Sequence, residues 1–269
     1  MRVASLRRMF RGGIMTLREK TRVARRAAGI AAWTFLLVAA RIAVRPWARI
    51  FPAREAAWRS ALLRAWGRGL LACGGVQLRV RGMPPHAPFF LVSNHLSSVD
   101  QPVLAAATGC VFVSRADVAR WPALGFVVRA ADTVFIDRSD LRETLRVNAE
   151  LGKRLDRGYG IHVFPESRIS VDGTVKAFRP ALLETAVARG MPVHYAAIQY
   201  RTPDGSPSVR DSVIWGPEQT FAQSMGAFLR LPYCEATLVF GPAPIQDADR
   251  KRLAQALHDA VAAQLDPAQ

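Results

Sequence analysis

The pattern of apolar and polar positions changes character near residue 75. Upstream, an uncharged apolar run extends from Ala27 to Ala40 and is followed by Arg41, three more apolar residues and Arg45. As a helix the run covers roughly 21 Å at ~1.5 Å per residue, short of the ~30 Å hydrocarbon core of a bilayer. If Arg41 snorkels, the stretch reaches Val44 and crossing becomes marginal; a dipping or monotopic helix fits the length better. A second segment, Glu55 to Cys73, repeats Trp58, Leu62, Trp66 and Leu70 at every fourth position, with Leu63 beside them and Arg59, Arg64 and Arg68 between. That spacing predicts an amphipathic helix ended by Gly74-Gly75, with an apolar, tryptophan-bearing face suited to a lipid headgroup boundary.

From Val76 onward, strand-like and helix-like periods alternate. Val76 to Arg81 alternates in and out as a half-exposed strand, and Pro88 to Val92 is a continuous apolar run suited to a buried one. Further strands are predicted at Cys110 to Val113, Thr133 to Ile136, Ile161 to Phe164, Val193 to Ile198 and Ala236 to Phe240. Helices are predicted at Leu141 to Leu155, Ala181 to Arg189 and Arg250 to Leu265, the last capped by Asp247 or Asp249. Such alternation predicts an α/β fold with a mostly parallel central sheet covered by helices, its chemistry on loops at the carboxyl ends of strands. Pro, Gly and Ser clusters make 201–230 the expected irregular insertion. The expected division is a basic arm with membrane-associating helices over 1–75 and an α/β domain over 76–269.

Charge sharpens that division. The chain of 269 residues carries a net charge of +16. Residues 1–82 hold 18 Lys/Arg and two acids, so the whole excess lies there, and the remainder is balanced. Four of the six tryptophans (Trp33, Trp47, Trp58, Trp66) fall in the same third, as an interfacial belt would place them. A nucleic-acid-binding module would instead show its cations on a folded, balanced-period region. A secretory signal fits poorly, because the basic region is long and no small-residue cleavage pattern precedes a polar start. The three cysteines (Cys73, Cys110, Cys234) form neither a CxxC pair nor an even framework, so neither a disulfide scaffold nor a zinc site is expected.

Two clusters carry chemistry. Directly after the Pro88–Val92 strand comes Ser93-Asn94-His95-Leu96-Ser97-Ser98-Val99-Asp100. Ser98 and Gln101 could form a capping box that places Asp100 in a first helical turn, with the chain folding back so that the carboxylate meets the His95 ring. Such a pair works as a base: the carboxylate fixes the tautomer through one ring nitrogen, and the other takes a proton from a hydroxyl. The second cluster, Phe164-Pro165-Glu166-Ser167-Arg168-Ile169-Ser170, again follows a strand. Its Arg168 is a candidate anion clamp, although Glu166 and Arg168 could equally form a surface ion pair. No G-x-S-x-G elbow supplies a serine nucleophile, which argues against a hydrolase. His86, His162, His194 and His258 read as structural or solvent-facing.

In order and separation these blocks resemble the glycerolipid acyltransferase family, which includes the lysophosphatidic acid acyltransferases, over roughly residues 80–245. NHLSSVD (94–100) resembles its His-x4-Asp motif, TVFIDR (133–138) its second block, FPESRIS (164–170) its third and MPVHYAAI (191–198) its fourth. The resemblance implies that His95 is the general base and Asp100 its orienting partner. It also implies that Arg115, Arg138, Glu166, Ser167 and Arg168 line the acceptor headgroup site. Acyl-CoA or acyl carrier protein would be the donor, a lysolipid the acceptor and the bilayer the working surface, at the cytoplasmic face of the inner membrane. No metal, organic cofactor or nucleic acid is implied. Phosphatidic acid is the expected product. Two departures bear on the acceptor: Ser167 stands where the family usually has glycine, and Ile169 where FPEGTRS has arginine. The stretch 172–186 also resembles lyso-ornithine lipid acyltransferases, whose acceptor has an amino-acid headgroup.

Overall fold

Thr16 and Glu19 start the first helix by reciprocal capping: the Glu19 amide donates to Thr16 Oγ1 at 3.3 Å, and the Thr16 amide donates to Glu19 Oε2 at 2.8 Å. The computed structural model describes residues 15–121, 124–137 and 141–265. Helix α1 (Leu17–Ile50) is continuous for 34 residues, with Pro46 inside it, so the helix runs on past Arg41. After Phe51, proline at the first position opens α2 (Pro52–Gly74), which stops at Gly75 in the left-handed region with φ 77°. Any side chain at Gly75 would also collide with the Arg26 guanidinium.

Among the described residues seven strands follow: β1 (Val76–Arg81), β2 (Phe89–Ser93), β3 (Val111–Arg115), β4 (Val134–Ile136), β5 (Gly160–Val163), β6 (Val193–Arg201) and β7 (Cys234–Phe240). Their order is β1-β7-β6-β2-β5-β3-β4. Every pairing is parallel except β6 with β7. The described helices beyond the hairpin are α3 (Asp100–Thr108), α4 (Leu124–Ala130), α5 (Leu141–Asp156), α6 (Glu184–Ala188), α7 (Val209–Ser212), α8 (Phe221–Arg230) and α9 (Arg250–Ala262). The expected α/β architecture therefore holds, with one reversed strand pair at the side that carries β1.

Central β2 is buried throughout, and the pleat divides its residues between two cores. Phe89 and Leu91 pack with Val103 and Leu104 of α3 and Phe228 of α8. Phe90 and Val92 pack with Val147 and Leu151 of α5 and Leu253 and Leu257 of α9. Asp249 caps α9 by accepting the amides of Lys251 and Arg252, whereas Asp247 pairs with Arg252. Residues 201–230 are more ordered than expected, because Thr220 and Gln223 form a capping box that starts α8.

The helical hairpin is bolted to this body by arginines. Arg26 is buried and donates to the carbonyls of Leu229, Leu231 and Pro232 at 3.2, 2.8 and 2.8 Å, while Arg22 donates to that of Arg230. At the far end of α1, Arg41 pairs with Asp132 at 3.0 Å. Arg59 of α2, expected on a lipid-facing surface, turns inward instead. It pairs with Asp132 at 2.8 Å, donates to the Ala131 carbonyl and lies over the Tyr159 ring at 4.4 Å. Burial alone would push the Asp132 carboxyl up, but the Arg59 charge and the Arg41 hydrogen bond outweigh it and hold it below the usual range.

Asp132→Asn tests this junction, because asparagine tolerates the residue's φ of 57° while losing the charge. Arg59 then stays buried with its charge unpaired. Since Asp132 keeps 33% of its side chain in solvent, urea denaturation is expected to show a loss of about 2 kcal/mol, below the value for a fully buried pair.

Candidate active site

The end of β2 is fixed before the catalytic cluster begins. Buried Asn94 bonds both backbone groups of Ile198 in β6, accepting from its amide at 2.8 Å and donating to its carbonyl at 2.9 Å. The chain then turns sharply, and Asp100 becomes the first residue of α3. The expected Ser98–Gln101 capping box does not form. Val99 is the N-cap and has no side-chain bond, its amide meets Ser97 Oγ at 3.2 Å, and Ser98 Oγ is buried without a partner among the described residues. The carboxylate of Asp100 reaches back to close the turn instead.

That carboxylate is fully buried and accepts four hydrogen bonds. Its Oδ2 receives the amides of Leu96 (2.7 Å) and Ser97 (2.9 Å) and faces His95 Nδ1 at 2.8 Å. Its Oδ1 receives the Tyr200 hydroxyl at 2.7 Å. Burial, then the Asp100 charge, push the Tyr200 phenol well above its ordinary value, so the hydroxyl keeps its proton and donates. With Asp100 accepting at Nδ1, the neutral ring carries its proton there and leaves the Nε2 lone pair open. No described residue occupies Nε2. The imidazole, 17% exposed at its side chain, stacks on Phe164 with ring centres 3.8 Å apart. An aromatic face is a favourable seat for an imidazolium. Fully buried His162 makes a T-shaped contact with Phe164 and is bonded to Ser93 Oγ at 3.0 Å. Burial first, and His95 second, hold it well below its ordinary value, so it is neutral.

The third block grips His95 by both backbone groups. Glu166 Oε1 accepts the His95 amide at 3.1 Å, and the Ser170 amide donates to the His95 carbonyl at 2.8 Å. Glu166 is buried, and this burial, aided by the Asp100 charge, pushes its carboxyl up to about 8 against the opposing pull of the His95 amide and Lys176. Ser167 has φ 64°, the left-handed conformation for which glycine is best suited.

His95, Asp100 and Glu166 are therefore brought together, with Ser167 adjoining them. Arg168 is not: it is exposed, and the alternative reading of a surface ion pair with Glu166 is not met among the described residues. Arg115 ends β3 on the same rim of the sheet, but it is exposed and its guanidinium is held by Asp117 at 2.9 Å. Arg138 lies outside the described residues. Tyr200 and Phe164 are the functional candidates that sequence reasoning missed.

A family model described as Acyltransferase matches residues 77–199. A lyso-ornithine lipid O-acyltransferase from Pseudomonas aeruginosa is 32% identical over 234 residues, covering 87% of this chain and 85% of the relative. The chain belongs to the acyltransferase family. A 1-acyl-sn-glycerol-3-phosphate acyltransferase from Neisseria meningitidis is 33% identical over 148 residues, covering 54% of this acyltransferase and 58% of the relative. In fold, the acyltransferase is similar to the crystal structure of the 1-acyl-sn-glycerophosphate acyltransferase PlsC from Thermotoga maritima. That likeness has a TM-score of 0.54 at 19% identity and covers 86% and 96% of the two chains.

Chemically, the dyad can accept a proton at Nε2 while Asp100 holds the other edge of the ring. His95→Ala in the acyltransferase is expected to lower acyl transfer by ~10²–10⁴-fold, the usual loss for a general base. Its melting temperature should stay within about 5 °C, because the ring packs on one aromatic face and not inside a core. Activity within tenfold of the parent would remove His95 from the chemistry.

Proposed function

We propose that this acyltransferase moves a fatty acyl chain from acyl-CoA or acyl carrier protein to the free hydroxyl of 1-acyl-sn-glycerol-3-phosphate, giving phosphatidic acid. The observation that carries the reading is the His95–Asp100 dyad, whose open Nε2 is set to deprotonate a hydroxyl, in a chain of this family. As the hydroxyl oxygen attacks the thioester carbonyl carbon, its proton passes to Nε2. The new C–O ester bond forms, the C–S bond breaks, and the leaving sulfur takes the proton back from the imidazolium. Asp100 orients the ring and stabilises its transient charge. The donor is a substrate, and the reaction needs no resident metal or cofactor.

Lyso-ornithine lipid is the second acceptor reading. It is supported by relatives of that name matching most of their length, 85% in Pseudomonas aeruginosa and 91% in Rhodobacter capsulatus. The absence of arginine at Ile169 supports it as well. A purified-enzyme assay crossing both lysolipids with both donors tests the function. Phosphatidic acid formation from the phosphate acceptor supports the first reading, and transfer only to the ornithine acceptor replaces it. No transfer to any lysolipid sinks both.

The working position we propose is flat on a membrane, on the cytoplasmic face where soluble acyl donors reside. Helix α1 is long and apolar enough to cross a bilayer. Its anchors at Arg26 and Arg41, ~22 Å apart along the helix, are nevertheless bonded to one body, which favours lying along the surface. Phe35, Leu36, Ile42, Trp47 and Ile50 are exposed on it. Flotation with anionic vesicles should be lost in a Phe35→Glu, Leu36→Glu double variant; unchanged flotation would place the attachment elsewhere.

A further inference from the structure

Glu166 is only 4% exposed, yet its Oε2 is buried with no hydrogen-bond partner among the described residues. Its Oε1 is held by the amide of the residue that carries the base. Of the two buried acids beside His95, Asp100 is surrounded by four donors at 2.9 Å or less, whereas Glu166 has the His95 amide at 3.1 Å and a looser pull from the Lys176 backbone amide. Among the described residues no cation forms an ion pair with Glu166: Arg168 is exposed, and the Lys176 ammonium is engaged by Asp172 at 3.3 Å. An ionised carboxylate with a bare buried oxygen is costly, whereas a protonated one needs only an acceptor to donate to.

The substrates sharpen the contradiction. Both the oxygen of a thioester carbonyl under attack by the hydroxyl and the headgroup of an anionic lysolipid bring negative charge to this rim. A glutamate carboxylate there would repel them. We infer that Glu166 works as an uncharged carboxylic acid whose Oε2–H donates a hydrogen bond to an anionic oxygen of the bound substrate. This deepens the lysolipid reading above and rests on it for the identity of the substrate. The groups that bear on its protonation are His95, Asp100 and Lys176, with neutral His162 in T-shaped contact with Phe164. The elevated value near 8 agrees with the burial and the bare oxygen. A raised carboxyl is protonated below that value, so the donor is present at neutral pH and is lost as pH rises through it.

The test uses the full-length enzyme with acyl-CoA and either lysolipid, from about pH 6 to about pH 10. The parent should lose kcat/KM above about pH 8, up to tenfold per unit. Glu166→Gln keeps a donor and an acceptor in the same shape, so it should retain activity within about tenfold at neutral pH and lose that alkaline limb. Glu166→Ala should fall by ~10²–10³-fold, as loss of an oxyanion donor does. If the partner is the reacting oxygen, that fall is in kcat. If it is the headgroup, the acceptor KM rises, and the effect shrinks with an uncharged monoacylglycerol acceptor. Infrared difference spectra, parent minus Glu166→Gln, give a readout independent of turnover: a protonated carboxyl C=O band present near pH 7 and bleached at alkaline pH. The inference is overturned if that band is missing, if Glu166→Gln keeps the alkaline limb, or if it is as inactive as Glu166→Ala while its circular dichroism is native. An enzyme that shows the band but transfers to no lysolipid would instead overturn the substrate reading.

Discussion

Everything at the catalytic rim hangs on one buried carboxylate. Asp100 gathers two backbone amides, an imidazole and a phenol around its two oxygens, and each donor comes with a piece of the fold. The amides of Leu96 and Ser97 set the turn between β2 and α3, and Tyr200 ties that turn to β6. Placing the charge at the first residue of α3 also sets it against the positive end of the helix. Geometry that would otherwise cost conformational entropy at His95 is thus shared among elements already ordered by packing.

A second layer of constraint comes from the Phe164–Ser170 block. It holds the His95 peptide by both its N–H and its C=O, so the ring is positioned from the backbone as well as through its Nδ1. Phe164 contacts two imidazoles of different duty, stacking on the partly exposed ring of His95 and meeting the sealed ring of His162 in a T-shape. Ser167 accepts a left-handed backbone to make this wrap, at an energetic cost that glycine would avoid.

Much of this was legible from residue order, for identifiable reasons. Strand β2 is apolar at every position because both of its faces are covered, and such a run between turn residues is easy to see. The His95–Asp100 pairing was legible because both partners sit within one turn. Tyr200 was not, since a tyrosine a hundred residues away gives no local sign that its hydroxyl meets Asp100. Nor does residue order reveal where a guanidinium points. Arg59, read as a charge flanking an interfacial helix face, and Arg26 of the basic N-terminal third prove to be buried bolts, while Arg115 and Arg168, site residues by resemblance, have exposed side chains. The capping pair Thr220–Gln223 and the helix it starts went unread, because Pro, Gly and Ser clusters around them spelled an irregular insertion.

Strand direction is equally silent in a hydropathy pattern, yet the reversal between β6 and β7 shapes the whole particle. Because β1 follows β7, it runs opposite to β2. Through β7 and β6 the register sets Arg81, the last residue of β1, level with the end of β2, whereas Val76 starts beyond that end. Helix α2 therefore hands the chain to the sheet on the side where the parallel strands end, after packing its Gly67 against Pro102 and Ala106 of α3. Had β7 run with its neighbours, β1 would have begun at the opposite side of the sheet. One inverted pair thus works as a return ramp, bringing the chain down into the sheet from the side on which the helix begun by Asp100 already lies.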